Sequence, residues 1–271
     1  MASLDEGKPK KSKRSSSKKR SYSIADGPVI FENLSAAVIA EQLTLREWDL
    51  FRGIPDSDFL NKVWLQKPPP SNNVLVQLVN NFNLISLWVA SEIVKTEDLK
   101  ERVQVLKKFV NVCDFLFELG NFNGLMEIVA GLSMSAVQRL GKTWSFAGSG
   151  TKSTFERFSN IMVTKLNFQT YRHALSNVKL PALPYVGVLL RDLIFIEEGN
   201  PQTLSNGFFN FDRIHLLGKF ILDIQRYKFT SYDIPVSPPI QNYFSSLKPL
   251  QDEELYQASV AVEKDHDSTL P

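Results

Sequence analysis

The chain has 271 residues, 43% of them hydrophobic, and a formal net charge of +2. This length suits one large domain or two small ones with a sizeable core, and the composition excludes a chain that is disordered throughout. No apolar run reaches the roughly 18 residues that a membrane span needs, and the N-terminus lacks the apolar segment of a signal peptide. The single cysteine, Cys113, excludes an internal disulfide and fits a reducing compartment.

The N-terminal segment, residues 1–28, is basic and rich in serine. Residues 8–20 hold eight basic side chains and no acidic one. Because it lacks apolar side chains that could offset the entropy cost of ordering, the segment is predicted to be disordered. Three interpretations stay open: a solvated linker of a longer protein, a nuclear import signal, or a contact with an anionic membrane surface, worth about 1 kcal/mol per basic residue.

From Val29 onward the sequence predicts helices almost throughout. Thr44 and Glu47 have the spacing of a capping box and are predicted to begin a helix. The prolines and asparagines of residues 67–73 indicate a surface loop. The clearest helical period runs over residues 99–119, where apolar side chains form one stripe, and Gly120 ends this helix.

The second half of the chain continues the helical pattern. Asn123, and later Ser153 or Thr154, are predicted to cap the helices that follow them. One short extended piece is predicted over residues 227–236. Further helices are predicted over residues 155–163, 167–175, 185–198, 210–227 and 252–262. We therefore predict an all-α fold, with a single multi-helix domain over residues 29–263 and a flexible tail over 264–271.

The sequence gives little support to an enzyme with a nucleophile or a metal. The three histidines are scattered, and Cys113 lies in an apolar stripe where a core role is expected. Residues 148–153 resemble a phosphate loop only in part, because Thr151 separates the glycine from the lysine and no strand precedes the segment. We interpret this segment as a flexible loop between helices and expect this chain to bind no metal, cofactor or nucleotide itself.

The most informative stretch covers residues 183–201 and indicates a helix with a stop signal at its end. Gly199 and Asn200 suit a left-handed C-cap, and Pro201 cannot continue a helix. The last turn of this helix is acidic.

Glu197 and Glu198 stand where the helix macrodipole disfavours anions by about 0.3–1 kcal/mol each, so stability alone does not account for them. Ile194 lies one turn before Glu198 on the same face of the helix. An apolar group beside an acid is suited to entering the charged site of another molecule. The pair is therefore predicted to be exposed to a partner.

Together with motifs elsewhere, this stretch resembles the catalytic domain of guanine-nucleotide exchange factors for Ras-type small GTPases, the RasGEF domain. In that family proline, an aromatic residue, x-glycine, an apolar run and Glu-Gly-Asn-Pro form the first arm of a helical hairpin that enters the GTPase. The resemblance covers nearly all of residues 34–247. The other segments that carry it are residues 41–51, 121–124, 139–144, 167–172 and 210–211.

The resemblance implies a non-covalent mechanism rather than an enzymatic bond-making step. Ile194 would place an apolar group where the magnesium ion and a phosphate need polar surroundings. Glu198 would accept the hydrogen bond of the phosphate-loop hydroxyl that normally binds the metal. The arm would also displace the first switch segment of the GTPase.

The resemblance further implies a face that grips the second switch segment. Asn80 stands where a basic residue is frequent in the family, and Ser133 where asparagine is frequent, so the identity of the GTPase (Ras, Rap or Ral type) stays open. The residues predicted to bind the GTPase are Asn80, Ser133, Met134, Val137, Gln138, Arg139, Phe168, Tyr171, Tyr185, Arg191 and Asn200.

Several of these residues have a second, structural interpretation. Arg139, Leu140 and Trp144 can equally hold the fold together. Asn121 and Asn123 are expected to be helix caps, and Tyr185 is expected to anchor the root of the arm by packing.

Relatives often carry a helical module that steadies the hairpin, and residues 1–28 cannot form one. Either the chain is a fragment, or its hairpin supports itself, which would require tight packing of residues 208–211 behind the arm. A catalytically silent scaffold that docks a GTPase is the alternative function, and a nucleic-acid binder using the basic segment is the third. The expected location is the cytoplasm, with a peripheral place at a membrane left open.

Overall fold

The computed structural model describes residues 29–60 and 62–264. The predictions for the basic segment and for the tail after residue 264 lie outside the described residues. Within them the chain forms helices, no β-strand and two isolated bridges, which confirms the predicted all-α fold. The helices are α1 (Ala36–Gly53), α2 (Asp56–Leu60), α3 (Val74–Lys95), α4 (Leu99–Glu118), α5 (Phe122–Ser133), α6 (Ser135–Gln138), α7 (Gly141–Ile161), α8 (Lys165–Asn177), α9 (Val186–Gly199), α10 (Phe211–Lys228), α11 (Pro238–Ser245) and α12 (Asp252–Val262).

Side-chain caps fix where several helices begin. The Ser35 hydroxyl accepts a hydrogen bond from the backbone N–H of Val38 at the start of α1. The Asp98 carboxylate accepts two backbone N–H groups at the start of α4. This helix matches the predicted bounds, and Gly120 follows it with φ +67°, a conformation that suits glycine.

The main core surrounds the long central helix α3. The Trp88 ring contacts the rings of Phe31, Phe109 and Phe244, with centroids 5.7, 5.1 and 5.8 Å away. Among the described residues α3 is long and apolar enough to cross a membrane by length and composition, but more than half of its most apolar window is buried inside the protein. We interpret α3 as the core helix of the fold.

Helices α3 and α5 lie very close together at Gly131. A Cβ atom at this position would lie 2.5 Å from the backbone oxygen of Ser86 and 2.7 Å from the Cβ of Val89. Only glycine fits such a contact without a shift of the α3 backbone. The contact fixes the end of α5, where Ser133 and Met134 follow.

A second, smaller core lies beneath a helical hairpin made of α9 and α10. Leu190 and Leu193 of α9 are buried in it together with Phe220 and Ile224 of α10. The Phe220 ring meets the Phe59 ring of α2 edge-on, with centroids 6.1 Å apart. The base of the hairpin is therefore anchored to the body by apolar packing.

The last two helices close the main core. Gln42 in α1 donates to the backbone oxygen of Pro235 and accepts from the backbone N–H of Ser237. After α12, the Glu263 carboxylate accepts the backbone N–H groups of Lys142 and Thr143, at 3.0 and 2.9 Å, and so caps the start of α7.

The predicted helix starts at Thr44 and at Asn123 are wrong. Thr44 and Glu47 lie inside α1 and are fully buried. Their side chains bind the start of α5 instead of their own backbone: the Thr44 hydroxyl accepts from the amide of Asn121 at 3.0 Å. Asn121 is the cap of α5, as expected, and Asn123 lies within that helix.

Two further local predictions are wrong. No helix begins at Ser153 or Thr154, because α7 runs from Gly141 to Ile161 with a kink at Gly148, where φ is +85°. Residues 148–153 are consequently part of a kinked helix rather than a loop. The extended piece over 227–236 is wrong at its start, since Tyr227 lies in the last turn of α10. Residues 230–237 have no regular structure, and Pro235 and Ser237 are hydrogen-bonded to Gln42 of α1.

Candidate functional site

Helix α9, which carries Ile194 and Glu198, is held at its root by side chains of other helices. Its N-cap residue, Tyr185, has no capping side chain. Instead, the backbone N–H of Tyr185 donates to the Tyr171 hydroxyl at 2.9 Å, and that of Val186 donates to the Asn123 amide oxygen at 3.3 Å. Since these N–H groups have no partner within α9, the contacts fix where the helix starts.

Gly187 lets the Tyr185 ring fold back over the first turn of α9. A Cβ atom at residue 187 would lie 2.5 Å from the Tyr185 ring and hydroxyl. The ring stacks on Phe82 of α3 at 5.7 Å. Tyr185 therefore anchors the arm by packing. Gly187, the glycine of the recognised motif, leaves the space that this ring occupies.

The outer end of α9 presents one acid and apolar groups to solvent. Glu198 is exposed and makes no hydrogen bond or ion pair with any described residue. Ile194 is half-buried and packs against neither core cluster, while Phe195 between them is 53% exposed. Ile194 and Glu198 are thus both accessible from outside, and their role in exchange stays a prediction.

The end of α9 differs from the predicted left-handed cap. Asn200 has φ −134°, an extended conformation, and Gly199 is still helical. The Asn200 side-chain amide donates to the backbone oxygen of Ile196 at 2.8 Å. Because this side chain satisfies a terminal carbonyl, the helix ends without a left-handed residue.

Glu197, next to Glu198, has ion-pair partners that explain an acidic residue at this position, and the sequence did not reveal them. Its carboxylate is 5% exposed and pairs with Arg213 of α10 at 3.1 Å and with Lys62 of the body. The two adjacent acids therefore differ sharply. One is neutralised inside the protein, and the other is open to solvent.

The aromatic residues of the predicted binding face converge at the root of the arm. The rings of Phe168, Tyr171 and Tyr185 lie 6.3 to 6.4 Å apart. The Arg191 guanidinium spans the rings of Phe168 and Phe195, at 5.4 and 5.2 Å. The structure thus brings this part of the predicted set together.

The predicted binding residues differ in accessibility. Val137 and Tyr171 are 0% and 1% exposed, so neither offers a side chain to a partner in this conformation. Phe168 is nearly buried, at 6%. The exposed members are Asn80, Ser133 and Gln138, and the half-buried members are Met134, Arg139, Tyr185, Arg191 and Asn200. The binding role of the whole set stays a prediction.

Asn80 lines an open groove of about 640 Å³ between α1 and α3. Arg46 also lines it, and its guanidinium donates to the side-chain oxygen of Asn81 at 2.8 Å. This groove leaves room for a partner side chain beside Asn80.

Of the residues with two interpretations, Leu140 and Trp144 are structural. Leu140 is buried, and the Trp144 indole donates to the backbone oxygen of Val137 at 3.1 Å. Arg139 has a structural contact as well, since it donates to the backbone oxygen of Ser259 in α12 at 2.8 Å.

Under the root of the arm lies a buried pair of acids that sequence reasoning missed. Glu47 of α1 and Glu127 of α5 are both 0% exposed. Burial raises the pKa of Glu127 well above its ordinary value, with the neighbouring Glu47 carboxylate adding to the rise, and burial also raises the pKa of Glu47. The raised pKa favours the protonated form of Glu127, which can donate a hydrogen bond to the Glu47 carboxylate.

This pair should make stability depend on pH. Each acid has an ordinary pKa of 4.5, which applies to the unfolded chain. The folded chain keeps the proton on Glu127 to a higher pH than the unfolded chain does. This difference stabilises the fold fully below pH 4.5, and the stabilisation is lost as the pH rises toward the folded pKa. Glu127→Gln keeps a donor to Glu47 without titrating, so its free energy of unfolding should change less than that of the wild type as the pH rises above 4.5.

Chemical unfolding followed by circular dichroism across this pH range measures the difference. Glu118→Gln, on the exposed surface of α4, is the matched control and should keep the wild-type slope. Parallel curves for wild type and Glu127→Gln would contradict the assignment of the proton to Glu127.

The described residues offer no group of three or more His, Cys, Asp or Glu side chains that could hold a metal. Cys113 is fully buried, and burial raises the pKa of its thiol. A buried neutral thiol is a core residue, as expected, and a poor nucleophile.

Comparison with known proteins agrees with the recognised motifs. The model of the RasGEF domain family matches residues 38–215. The chain is 35% identical over 238 residues to the Ras guanine nucleotide exchange factor Q of Dictyostelium discoideum. The matched region covers 87% of this chain and 18% of that protein. It is 34% identical over 235 residues to the Ras-specific guanine nucleotide-releasing factor 1 of Rattus norvegicus, covering 86% of this chain and 19% of the relative. The chain thus spans less than a fifth of the length of these relatives.

Proposed function

Because this chain belongs to the RasGEF domain family, we propose that it is a guanine-nucleotide exchange factor for a Ras-family small GTPase. It binds the GDP-loaded GTPase and promotes release of the nucleotide, which free nucleotide then replaces. No covalent step and no cofactor is needed, so the protein is not an enzyme in the bond-making sense. The partner is a GTPase of the Ras, Rap or Ral type.

The observation that carries this proposal is the accessibility of Ile194 and Glu198 at the outer end of α9. An unpaired carboxylate at a helix C-terminus, where the dipole disfavours it, does nothing for the stability of this protein. A half-buried isoleucine on the same face adds an apolar group one turn away. Both properties suit a helix that enters a site made for a metal ion and a phosphate.

The proposed action is a competition for the groups that hold the nucleotide. A small GTPase grips its nucleotide through phosphate-loop groups and a magnesium ion. The Glu198 carboxylate accepts a hydrogen bond from the phosphate-loop hydroxyl that otherwise binds the metal, and Ile194 places an apolar group where the metal and a phosphate need polar surroundings. Each tenfold gain in release rate requires that the barrier fall by about 1.4 kcal/mol. Replacing two contacts of the nucleotide in this way therefore accounts for a large acceleration.

The second contact is the face beside the root of the arm. We infer that Arg191 with the rings of Phe168 and Tyr185, and Asn80 with its groove, bind the second switch segment of the GTPase. The aromatic cluster supports this assignment because it is apolar and continuous with α9. A GTPase partner of this type favours a cytoplasmic location, and contact of the basic segment with an anionic membrane stays a prediction.

Release of a fluorescent GDP analogue from a panel of Ras, Rap and Ral-type GTPases tests the proposal. We expect the chain to raise the release rate of at least one member by about tenfold or more. A protein that binds a panel member but leaves its release rate unchanged would be the docking scaffold instead.

A further inference from the structure

Glu197 joins three separate parts of the protein at the outer half of the hairpin. Its Oε1 atom pairs with Nη2 of Arg213, the third residue of α10, at 3.1 Å. Its Oε2 atom contacts Nζ of Lys62, which follows α2 in the body. The carboxylate is 5% exposed, and the side chains of Arg213 and Lys62 are 19% and 38% exposed. We call these three residues the Glu197 cluster.

The Glu197 cluster also completes the end of α9. Nη1 of Arg213 donates to the backbone oxygens of Glu197 and Asn200, at 3.0 and 2.9 Å. These carbonyls have no partner within the helix, and the guanidinium places a positive charge where the dipole favours one. The carboxylate at residue 197 is thus tolerated because two cations surround it.

Apolar packing becomes weaker toward the outer end of the hairpin. The tight packing of residues 208–211 that a self-supporting hairpin would require is absent, since Phe208, Phe209 and Phe211 are 70%, 65% and 76% exposed. The fully buried part of the hairpin core ends near Leu193 and Phe220, and beyond it Ile196 and Leu217 are only partly buried. Beyond that level, the Glu197 cluster links the arm, α10 and the body, while backbone hydrogen bonds of Leu204 with Phe208 and of Asn210 with Gln202 close the tip of the hairpin.

We propose that Glu197 is a positioning residue for nucleotide exchange: its ion pairs with Lys62 and Arg213 hold the end of α9 at the angle at which Ile194 and Glu198 point away from the protein. This inference rests on the proposed exchange function. Glu197 directly precedes Glu198, about 100° around the helix. A rotation or fraying of the last turn would therefore displace the Glu198 carboxylate.

The proposal predicts an effect on the release step rather than on binding of the GTPase. The inferred binding face at Asn80, Phe168 and Arg191 contains no member of the Glu197 cluster. Misplacing a group by about 1 Å can cost up to a hundredfold in rate. We expect Glu197→Gln to lower kcat for GDP release by about tenfold and to leave KM for the GTPase within about twofold.

The experiment compares Glu197→Gln and Glu197→Ala with Glu197→Asp, which keeps the charge and should recover part of the rate. Asp114→Asn is the matched control, because it removes an ion pair between helices, with Arg157, on the body of the protein. It should keep the wild-type kcat. A kcat within twofold of wild type for both Glu197→Gln and Glu197→Ala would overturn the proposal.

A second measurement on the same variants needs no GTPase. Backbone hydrogen exchange should become faster in residues 194–200 and 211–214 of Glu197→Gln and stay unchanged in α4 and α5, because the loss is a local opening. Unchanged exchange in the hairpin would overturn the proposal even if the rate falls. If the hairpin opens as expected but the wild type releases GDP from no panel member, the Glu197 cluster holds the end of α9 as proposed, and it is the exchange function that fails.

Discussion

Replacing Glu198 by alanine is expected to lower the rate of GDP release by about tenfold to a hundredfold. A hydrogen bond to a charged group contributes about 1.5–3 kcal/mol, and this one would form only when the arm has entered the GTPase. Because Glu198 is exposed and pairs with no described residue, the variant should keep the stability of the wild type. Stopped-flow release of fluorescent GDP, together with the melting temperature, measures both quantities.

Ile194→Ala should slow release as well, through loss of the apolar group beside the metal site. Glu253→Ala is a suitable control, since this exposed acid lies on α12, far along the chain from the arm. Wild-type release rates for both Glu198→Ala and Ile194→Ala would contradict the site assignment while leaving the fold untouched.

Replacing Arg102 by alanine is expected to lower the free energy of unfolding by about 3–5 kcal/mol, as removal of one partner of a buried ion pair does. The guanidinium is 2% exposed and donates to the backbone oxygens of Thr96 and Glu97, both at 2.8 Å, and to the Thr143 hydroxyl at 2.9 Å. It also pairs with Glu263 at 3.4 Å. Alanine would leave these acceptors without their donor.

Burial alone would raise the pKa of Glu263, but hydrogen bonds from Thr143 and Lys142, and the charge of Arg102, hold it below its ordinary value. Urea unfolding followed by circular dichroism gives the free energy. Lys100→Ala, an exposed cation on the same helix, should change it by no more than about 0.5 kcal/mol. A loss below about 1 kcal/mol for Arg102→Ala would show that the network is not a stabilising one.

Local patterns predicted the helices whose ends depend on nearby residues. The bounds of α4 and α12 follow from an apolar period with a cap or a stop beside it, and the structure has them within one residue. The helix start predicted at Thr44 and Glu47 was wrong because the residue types that cap a helix also serve as buried hydrogen-bond partners for other helices. Their partners lie about 76 residues away in the sequence, and no local spacing reveals such contacts.

The candidate site likewise contains some residues whose environment local patterns predict and others whose environment depends on distant residues. The exposure of Glu198 could be predicted, because an acid at a helix C-terminus without a nearby basic residue has no local explanation. The burial of Glu197 could not, since its partners Lys62 and Arg213 come from a distant loop and from the second arm. The position of Arg191 between two rings likewise depends on the packing of α8 against the root of α9.

The aromatic cluster around Trp88 has a consequence for how the chain folds during synthesis. Its rings come from residues as far apart as Phe31 and Phe244, and the last helix adds the buried Leu255. A ribosome that has made the first two thirds of the protein has therefore not yet supplied the side chains that close the core. We expect the nascent chain to stay loosely packed and to require protection by chaperones until the final helices emerge from the exit tunnel.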